Sequence, residues 1–321
     1  MWLFVCAYNY SQPPKTNYMK KVYLALISLA IGGVSASAQY YVGENSYDSF
    51  TDAMAAVEAE GVVEVAGTVA LPNARVGINK SFTLKGRGDD AVIQLNDGLA
   101  TGTIAILMND ASKPSLTVEN ITFDGKGKER TAALIEAKNN APKLYLKGVT
   151  IKNFKQNDKR LLDVVGGGVG EYTDLVIEDC EFVEGLYPIR IGNNMITVAG
   201  NCRIQKGINF EPGTVYHLNT GELTNTEAIK LNFSDAYSGK ELVYGCNDPS
   251  KFESLVEGYS LVASGDNLKV EESATTGIEG VEADENAPAE YYNLQGVRVA
   301  NPENGIFIRR QGAKVEKVYV K

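Results

Sequence analysis

The amino-acid sequence predicts an all-β fold in which short strands wind into a solenoid. Apolar and polar residues alternate over short runs, which is typical of strands, and one alternating motif recurs along the chain. The stretches between its copies show no helical periodicity. Because a single copy cannot bury its apolar face, stacked copies must share one continuous core. The copies are LTVENITF from Leu116, LYLKGVTI from Leu144, LVIEDCEF from Leu175 and ITVAGNCRI from Ile196.

Each copy of the motif is expected to contain a sharp bend between two strands. The residue at that point is of a type that tolerates a left-handed backbone. A third short strand belongs to each repeat, because triplets with apolar outer residues and a polar middle residue stand beside the copies. The bend residues are Asn120, Gly148, Asp179 and Asn201, and the triplets are residues 135–137, 162–164, 189–191 and 208–210.

Cys180 and Cys202 occupy the same inward-facing position of neighbouring repeats. Neighbouring parallel strands lie ~4.8 Å apart, which is within the Cα separation of a disulfide. The spacing therefore allows a disulfide as well as two stacked free thiols, and a catalytic or metal-binding role is the third alternative. The carboxylates around Cys180 then belong to the bend and to the solvated face.

The repeat resembles the right-handed parallel β-helix of the pectate-lyase-like superfamily. The resemblance lies in the strand pairs of the type LTVENITFDG, with Asn120 and Asn201 where that family often stacks an asparagine ladder. It covers about residues 46–270 and implies a β-helix domain over residues 39–272. It also implies an N-terminal capping helix that closes the first coil. The candidate is YDSFTDAMAAVEAEG, with Ser46 or Asp48 as the N-cap.

Residues 19–38 have the pattern of a secretory signal peptide. Two lysines precede an apolar run from Val22 to Val34, and Ala36 and Ala38 supply the small residues of a cleavage site before Gln39. The run is shorter than the ~20 residues that span a bilayer, so the mature chain is expected to lack a transmembrane segment. Residues 1–18 precede a complete signal and are interpreted as a mis-called extension. The protein is therefore expected to be secreted or on the cell surface.

The C-terminal region divides into an acidic linker, residues 273–288, and a small β module, residues 289–321. The module contains strand-like runs separated by turn residues at 301–302, 304–305 and 311–312. It resembles the C-terminal signal domains of the type IX secretion pathway in YNLQG from Tyr292, GIFI from Gly305 and the terminal VYVK. The resemblance implies the secretion machinery as a partner. A module that only caps or anchors the solenoid is the alternative.

The chain is acidic and contains very little histidine. Its net charge is −9, and because residues 1–38 contain three lysines and no acidic residue, residues 39–321 carry −12. Such a surface repels nucleic acid, and an anionic ligand would need a local basic patch or a bound cation. His217 is the single histidine, which argues against a Ser-His-Asp triad and against a histidine-rich metal site.

The middle residues of the triplets are the candidate site. If the triplets align, Glu136, Asp163, Arg190 and Asn209 project outward from successive coils. The resemblance implies activity here, because enzymes of the superfamily act on the outer face of this strand. Glu136 and Asp163 could act as the acid and nucleophile of a retaining glycosidase or bind Ca²⁺ through their oxygens. Arg190 could bind a substrate carboxylate.

Basic residues cluster in the loops that lead into this strand. They occupy the same loop of neighbouring coils and predict a basic patch that suits an anionic polysaccharide, with Lys159 as the base of a β-elimination. The alternative is an ordinary solvated surface with charge-compensating pairs. The predicted substrate-binding residues are Lys126, Lys128, Arg130, Lys155, Arg160 and Asn209.

These observations predict a secreted or cell-surface protein that binds glycan, and two alternatives stay open. One is a polysaccharide lyase or glycosidase that uses the carboxylates, Arg190 and Lys159, with Ca²⁺ as a cofactor; the other is a structural protein without a ligand. The histidine motif and aspartate cluster of polygalacturonases are absent, as are the calcium-binding aspartates and the arginine motif of pectate lyases. The resemblance therefore implies the fold without a catalytic mechanism.

Overall fold

The computed structural model describes residues 39–140, 142–156, 161–165, 173–183, 189–192, 194–210, 217–273, 288–311 and 314–321. These residues form two compact units, one ending at Glu271 and the other beginning at Glu272. They contain strands, one α-helix and two short 3-10 helices, so the protein is all-β, as predicted. The predicted signal peptide, the extension before it and most of the acidic linker lie outside the described residues.

The elements follow the chain in this order. The N-terminal part contains β1 (Gln39–Val42), β2 (Asn45–Tyr47), α1 (Phe50–Ala56), β3 (Gly61–Ala66), β4 (Thr68–Ala70), β5 (Val76–Gly77), β6 (Phe82–Gly86), β7 (Val92–Gln94) and β8 (Ile106–Met108). The repeat region contains β9 (Ser115–Glu119), β10 (Thr122–Arg130), β11 (Ile135–Lys138), β12 (Lys143–Lys147), β13 (Thr150–Gln156), β14 (Leu162–Val165), β15 (Thr173–Glu178), β16 (Glu181–Phe182), β17 (Ile189–Gly192), β18 (Asn194–Gly200), β19 (Arg203–Ile204) and β20 (Ile208–Phe210). The next part contains β21 (Leu218–Leu223), β22 (Ile229–Asn232), a 3-10 helix (Asp235–Tyr237), β23 (Glu241–Tyr244), a 3-10 helix (Pro249–Lys251), β24 (Phe252–Ser254), β25 (Tyr259–Ser264) and β26 (Asn267–Glu272). The C-terminal unit contains β27 (Glu290–Tyr292), β28 (Arg298–Val299), β29 (Gly305–Gln311) and β30 (Lys314–Val320).

The described strands form four sheets. Sheet A has the order β2-β1-β3-β6-β9-β12-β15-β18-β21-β23-β26-β25, and sheet B has the order β19-β16-β13-β10-β7-β4. Sheet C has the order β24-β22-β20-β17-β14-β11-β8-β5, and sheet D has the order β28-β27-β29-β30. From β9 to β20 the chain enters sheets A, B and C in turn, and equivalent strands pair in parallel. The predicted parallel arrangement of the repeats is therefore observed.

Apolar residues at equivalent positions of the repeat stack in columns. The column that begins each motif copy is fully buried, and its members are direct neighbours on adjacent strands of sheet A. Full burial of one such side chain contributes about 1.5–3 kcal/mol, so the columns are the main source of stability. This column contains Leu116, Leu144, Leu175, Ile196 and Leu218.

The bends between sheets A and B have a left-handed backbone in all four copies of the motif. Asn120 (φ 53°), Gly148 (φ 61°) and Asp179 (φ 53°) adopt it, as predicted. In the fourth copy Gly200 (φ 69°) takes this conformation and Asn201 does not. That copy has one extra residue, and glycine enters the left-handed region with less strain than asparagine.

Side chains and glycines alternate along the column of bends. A Cβ placed on Gly148 would overlap Oδ1 of Asn120, and one placed on Gly200 would overlap Oδ1 of Asp179. The same Oδ1 of Asp179 accepts a hydrogen bond from the backbone amide of Asn201 at 2.8 Å. The polar side chain of one rung therefore occupies the space that the glycine of the next rung leaves open.

The helix α1 packs on the first strands through its buried residues Phe50 and Ala53. Its N-cap is Ser49, which accepts a hydrogen bond from the amide of Asp52 at 3.1 Å; the predicted N-caps Ser46 and Asp48 are wrong. The ring of Phe50 lies 5.5 Å from that of Tyr40 and 6.4 Å from that of Phe82. Among the described residues, none of the helices is long and apolar enough to cross a membrane.

Sheet D is antiparallel throughout. Its first turn is built by Asn293, whose Oδ1 accepts hydrogen bonds from the amides of Gln295 and Val297 at 3.0 and 2.9 Å. In the described part of the C-terminal unit, no residue is buried, so these strands lack a core of their own. Its exposed apolar side chains are Leu294, Val297, Ile306, Val315 and Tyr319.

The substitution Gly148→Ala is expected to destabilise the protein more than Gly43→Ala. Both glycines have a positive φ, but the space around Gly43 is open, whereas a Cβ on Gly148 meets Asn120. The left-handed backbone costs an alanine about 1–2 kcal/mol at either position, and the overlap adds on the order of 1–3 kcal/mol at Gly148. Urea unfolding of the two variants measures the difference. Equal losses of stability would contradict the stacked arrangement of the bends.

Candidate functional site

The predicted row of polar residues lies in register on sheet C. Glu136 is the direct neighbour of Asp163, Asp163 of Arg190, and Arg190 of Asn209. Asn232 on β22 continues the row beyond Asn209. For Arg190 the structure describes the strand but not the side chain. The triplets therefore align as the alternation predicts, and five polar residues follow one another on five strands.

Two members of the row are less accessible than expected. Glu136 is 7% exposed and Asn209 is 8% exposed, so neighbouring groups cover most of both side chains. Glu136 Oε1 lies 2.8 Å from Nζ of Lys138, and Asn209 Oδ1 accepts a hydrogen bond from Nδ2 of Asn232 at 2.5 Å. Each buried side chain therefore orients a more exposed polar neighbour. Asp163, between them, is only partly buried.

The predicted lysines of the first loop are held by a carboxylate. Nζ of Lys126 lies 2.8 Å from Oδ1 of Asp97, and Nζ of Lys128 lies 2.6 Å from the same oxygen. Hydrogen bonds from Lys126 and then Lys128 lower the pKa of the Asp97 carboxyl to about 2. Asp97 comes from the preceding coil and was not among the predicted residues. The pair of lysines is therefore partly neutralised, which weakens the predicted basic patch.

Arg130 does not belong to an exposed patch. Arg130 is 2% exposed, and its guanidinium donates hydrogen bonds to the carbonyl of Ala100, at 2.8 Å, and to the carbonyl of Thr103. Burial lowers the pKa of Arg130. The prediction that it binds substrate at the surface is contradicted by this burial, since the side chain ties its own strand to the loop of the preceding coil.

The structure describes only some of the remaining residues that were predicted for the loops and the metal site. Lys155 is exposed on β13, while Lys159 and Arg160 lie outside the described residues. Within the described ranges, no three side chains of histidine, cysteine, aspartate or glutamate converge to hold a metal ion. A Ca²⁺ ion at Glu136 and Asp163 stays a prediction that would need further oxygen ligands.

The paired cysteines are core residues. Cys180 and Cys202 are both free thiols and both buried. The thiol of Cys180 donates to the carbonyl of Glu178 at 3.2 Å, and that of Cys202 donates to the carbonyl of Ala199 at 3.2 Å. Burial raises the pKa of Cys180 to about 12 and raises that of Cys202. Of the three alternatives, the structure contains the stacked free thiols, and neither sulfur has the character of a nucleophile.

A pair of adjoining cavities at the end of sheet B was not predicted. One has a volume of about 290 Å³ and the other of about 220 Å³, and Arg203 and Glu227 line both. Arg203 connects two carboxylates, since Nη1 lies 2.7 Å from Oε1 of Glu181 and Nε lies 3.0 Å from Oε2 of Glu227. The segment around Glu227 has no repeat pattern, so alternation in the sequence could not reveal these cavities.

Alkylation of the native protein is expected to label Cys246 and to leave Cys180 and Cys202 unmodified. Cys246 is only partly buried, whereas the other two sulfurs are enclosed and remain protonated at neutral pH. Iodoacetamide treatment at pH 8, followed by peptide mass mapping, measures the labelling of each site. A denatured sample is the control and should label all three. Labelling of Cys180 in the folded protein within minutes would contradict the assignment.

No protein-family model matches the chain, and no characterised protein or solved structure matches it significantly. Nothing about ligand or activity is therefore carried over from a relative.

Proposed function

We propose that this protein is a right-handed parallel β-helix that binds glycan along the outer face of sheet C. Three long sheets that the chain enters in turn support the β-helix. The polar row from Glu136 to Asn232 is the observation that carries the binding proposal. At ~4.8 Å per strand it spans about 19 Å, which suits an extended ligand better than a compact one.

The chemistry of the row fits sugar hydroxyls. Asp163 supplies a carboxylate acceptor, Asn232 supplies an amide, and Lys138 supplies an ammonium donor beside the row. Glu136 and Asn209 hold Lys138 and Asn232 in place from below, so these two side chains lose little freedom when a ligand binds. The partial neutralisation of Lys126 and Lys128 by Asp97 favours a neutral or weakly charged glycan over a strongly anionic polymer.

A catalytic role is the second candidate, and the register of Glu136 and Asp163 favours it. Side chains on adjacent parallel strands lie ~4.8 Å apart, near the ~5–5.5 Å between the carboxyl groups of retaining glycosidases. The ion pair of Glu136 with Lys138 and the burial of Glu136 weigh against this role.

Incubation with a panel of polysaccharides distinguishes a catalytic protein from a binding protein. New reducing ends support hydrolysis, and a rise in ultraviolet absorbance supports elimination. Neither signal is expected from a binding protein.

Export is the third part of the proposal. The signal-like residues 19–38 would direct the chain across the inner membrane, and residues 289–321 would serve as the sorting or anchoring module that interacts with the secretion machinery. The exposed apolar side chains of sheet D support a contact with another molecule. The expected location is the cell surface or the medium.

The substitutions Lys138→Gln and Asn232→Ala are each expected to weaken glycan binding. Loss of one hydrogen bond of about 1 kcal/mol corresponds to roughly fivefold in Kd. A glycan array first identifies the ligand, and titration calorimetry then compares the variants. Lys147→Gln is the matched control, because Lys147 is exposed on sheet A. Equal weakening by the control, or an array without any bound glycan, would refute binding at sheet C and favour a structural protein.

Deletion of residues 289–321 is expected to retain the protein in the periplasm. The deletion removes sheet D and leaves the other unit, which ends at Glu271. Immunoblots of medium, surface and periplasmic fractions measure the location, and protease resistance of the trapped protein controls for misfolding. Unchanged export of a folded deletion variant would refute the sorting role.

A further inference from the structure

Sheet B ends earlier than the sheets beside it. It stops at β19, whereas sheets A and C continue with β21 and β22. The next rung begins in register, because the amide of Thr224 donates to the carbonyl of Gly200 at 3.0 Å. It then turns away at Asn225, whose buried side chain donates Nδ2 to the carbonyl of Glu227 at 2.8 Å. The chain therefore passes the edge of β19 without forming a strand there.

The edge of β19 has a main-chain acceptor without its usual partner. In each preceding rung the equivalent carbonyl accepts a backbone amide hydrogen from the next rung. These bonds join Ile121 to Thr150 at 3.0 Å, Val149 to Glu181 at 2.9 Å and Cys180 to Arg203 at 2.9 Å. Across the part of the chain that the structure describes, no backbone amide donates to the carbonyl of Cys202. The geometry of a parallel ladder turns the N–H of Ile204 to the same side.

The larger cavity lies along this edge. Four consecutive residues, Arg203 to Lys206, line one side of it, and Ala228 and Lys230 line the other. The smaller cavity continues it past Arg203 toward Asn201, and together they reach the size of ligand pockets. An unpaired strand edge beside open space is the arrangement to which an extended peptide adds as a further strand.

Lys206 is the cation at this edge that favours a partner carboxylate, because Arg203 already lies 2.7 Å from Glu181. Glu227 Oε2 lies 3.0 Å from Nε of Arg203, and both side chains are exposed, so the pair is weak and exchangeable. Lys206 is exposed and forms no ion pair with any described residue. Nζ of Lys230 lies 3.9 Å from Oε2 of Glu253, so this ion pair is long and weak.

We propose that the edge of sheet B at β19 binds an extended polypeptide segment of a partner protein. The segment adds one rung to the sheet, with its amide donating to the carbonyl of Cys202 and its carbonyl accepting from the N–H of Ile204. Its acidic side chains lie opposite Lys206 and opposite Arg203, where one of them can replace the exposed carboxylate of Glu227. This edge belongs to sheet B and the proposed glycan row to sheet C, and the two meet at β22, where Lys230 lines the cavity and Asn232 ends the row. The peptide test and the glycan test are independent, so either proposal can fail without the other.

A peptide that copies the preceding rung tests the proposal. In that rung Glu181 pairs with Arg203 and Phe182 pairs with Ile204. The probe is a fluorescein-labelled peptide AEFVE, which repeats residues 180–184 with alanine in place of Cys180. Fluorescence anisotropy measures its binding to the full chain, and amide hydrogen exchange by NMR measures protection at Ile204. Saturable binding with at least tenfold slower exchange at Ile204 is expected.

Two controls separate strand addition from charge attraction. A version of AEFVE with an N-methylated glutamate keeps the carboxylate but lacks the N–H that would donate to the carbonyl of Cys202, and it is expected to lose the protection at Ile204. Lys206→Glu is expected to weaken binding of AEFVE about fivefold, as the loss of an exposed ion pair and like-charge repulsion predict, whereas Lys240→Glu on an exposed turn should have no effect. Equal protection by both peptides, no binding at millimolar concentration, or protection by glycan fragments instead of peptide would each overturn the proposal.

Discussion

The stacking of each residue on the equivalent residue of the next rung is the constraint on which the rest of this structure depends. Parallel pairing without shifts brings Leu116, Leu144, Leu175 and Ile196 into one buried column. A slip of one residue would turn every apolar side chain outward, because side chains alternate strictly along a strand. The polar row on sheet C and the enclosed thiols both follow from this register. The distances between surface residues of successive strands, and so the geometry of any functional site there, are therefore set by the packing of the core.

Charge is arranged locally rather than as broad patches. On the outer face of sheet A, Lys85 lies 3.5 Å from Glu119, and Lys147 lies 3.1 Å from Glu178, so opposite charges follow one another from strand to strand. In the loop, Lys126 and Lys128 likewise form ion pairs with Asp97. Such exposed pairs contribute little to stability, but they prevent like charges from stacking at short distance. Ligands consequently meet several basic groups that already have partners, whereas others, such as Lys155 and Lys206, are exposed and form no ion pair with any described residue.

The sequence could predict those features that repeat. Alternation located the strands, the triplets and the inward position of Cys180, because each of these recurs in every rung. Burial of Glu136 and Arg130 could not be predicted, since it depends on contacts with neighbouring side chains and with a loop of the preceding coil. The capture of two lysines by Asp97 was missed for the same reason. The end of sheet B at β19 lies beside the buried side chain of Asn225, in a segment that has no repeat pattern.

The alternation of polar side chains and glycines in the column of bends has a consequence for how such a chain can grow. Asn120 and Asp179 fill the space above Gly148 and Gly200, so two rungs, rather than one, form the unit that repeats without a clash. Duplication of a rung that carries Asn120 or Asp179 would place two side chains against each other at a left-handed position, and duplication of a glycine rung would leave the space between the two glycines unfilled. Duplication of two rungs would conserve the fit. Natural variation or engineering is therefore expected to lengthen the chain by even numbers of rungs.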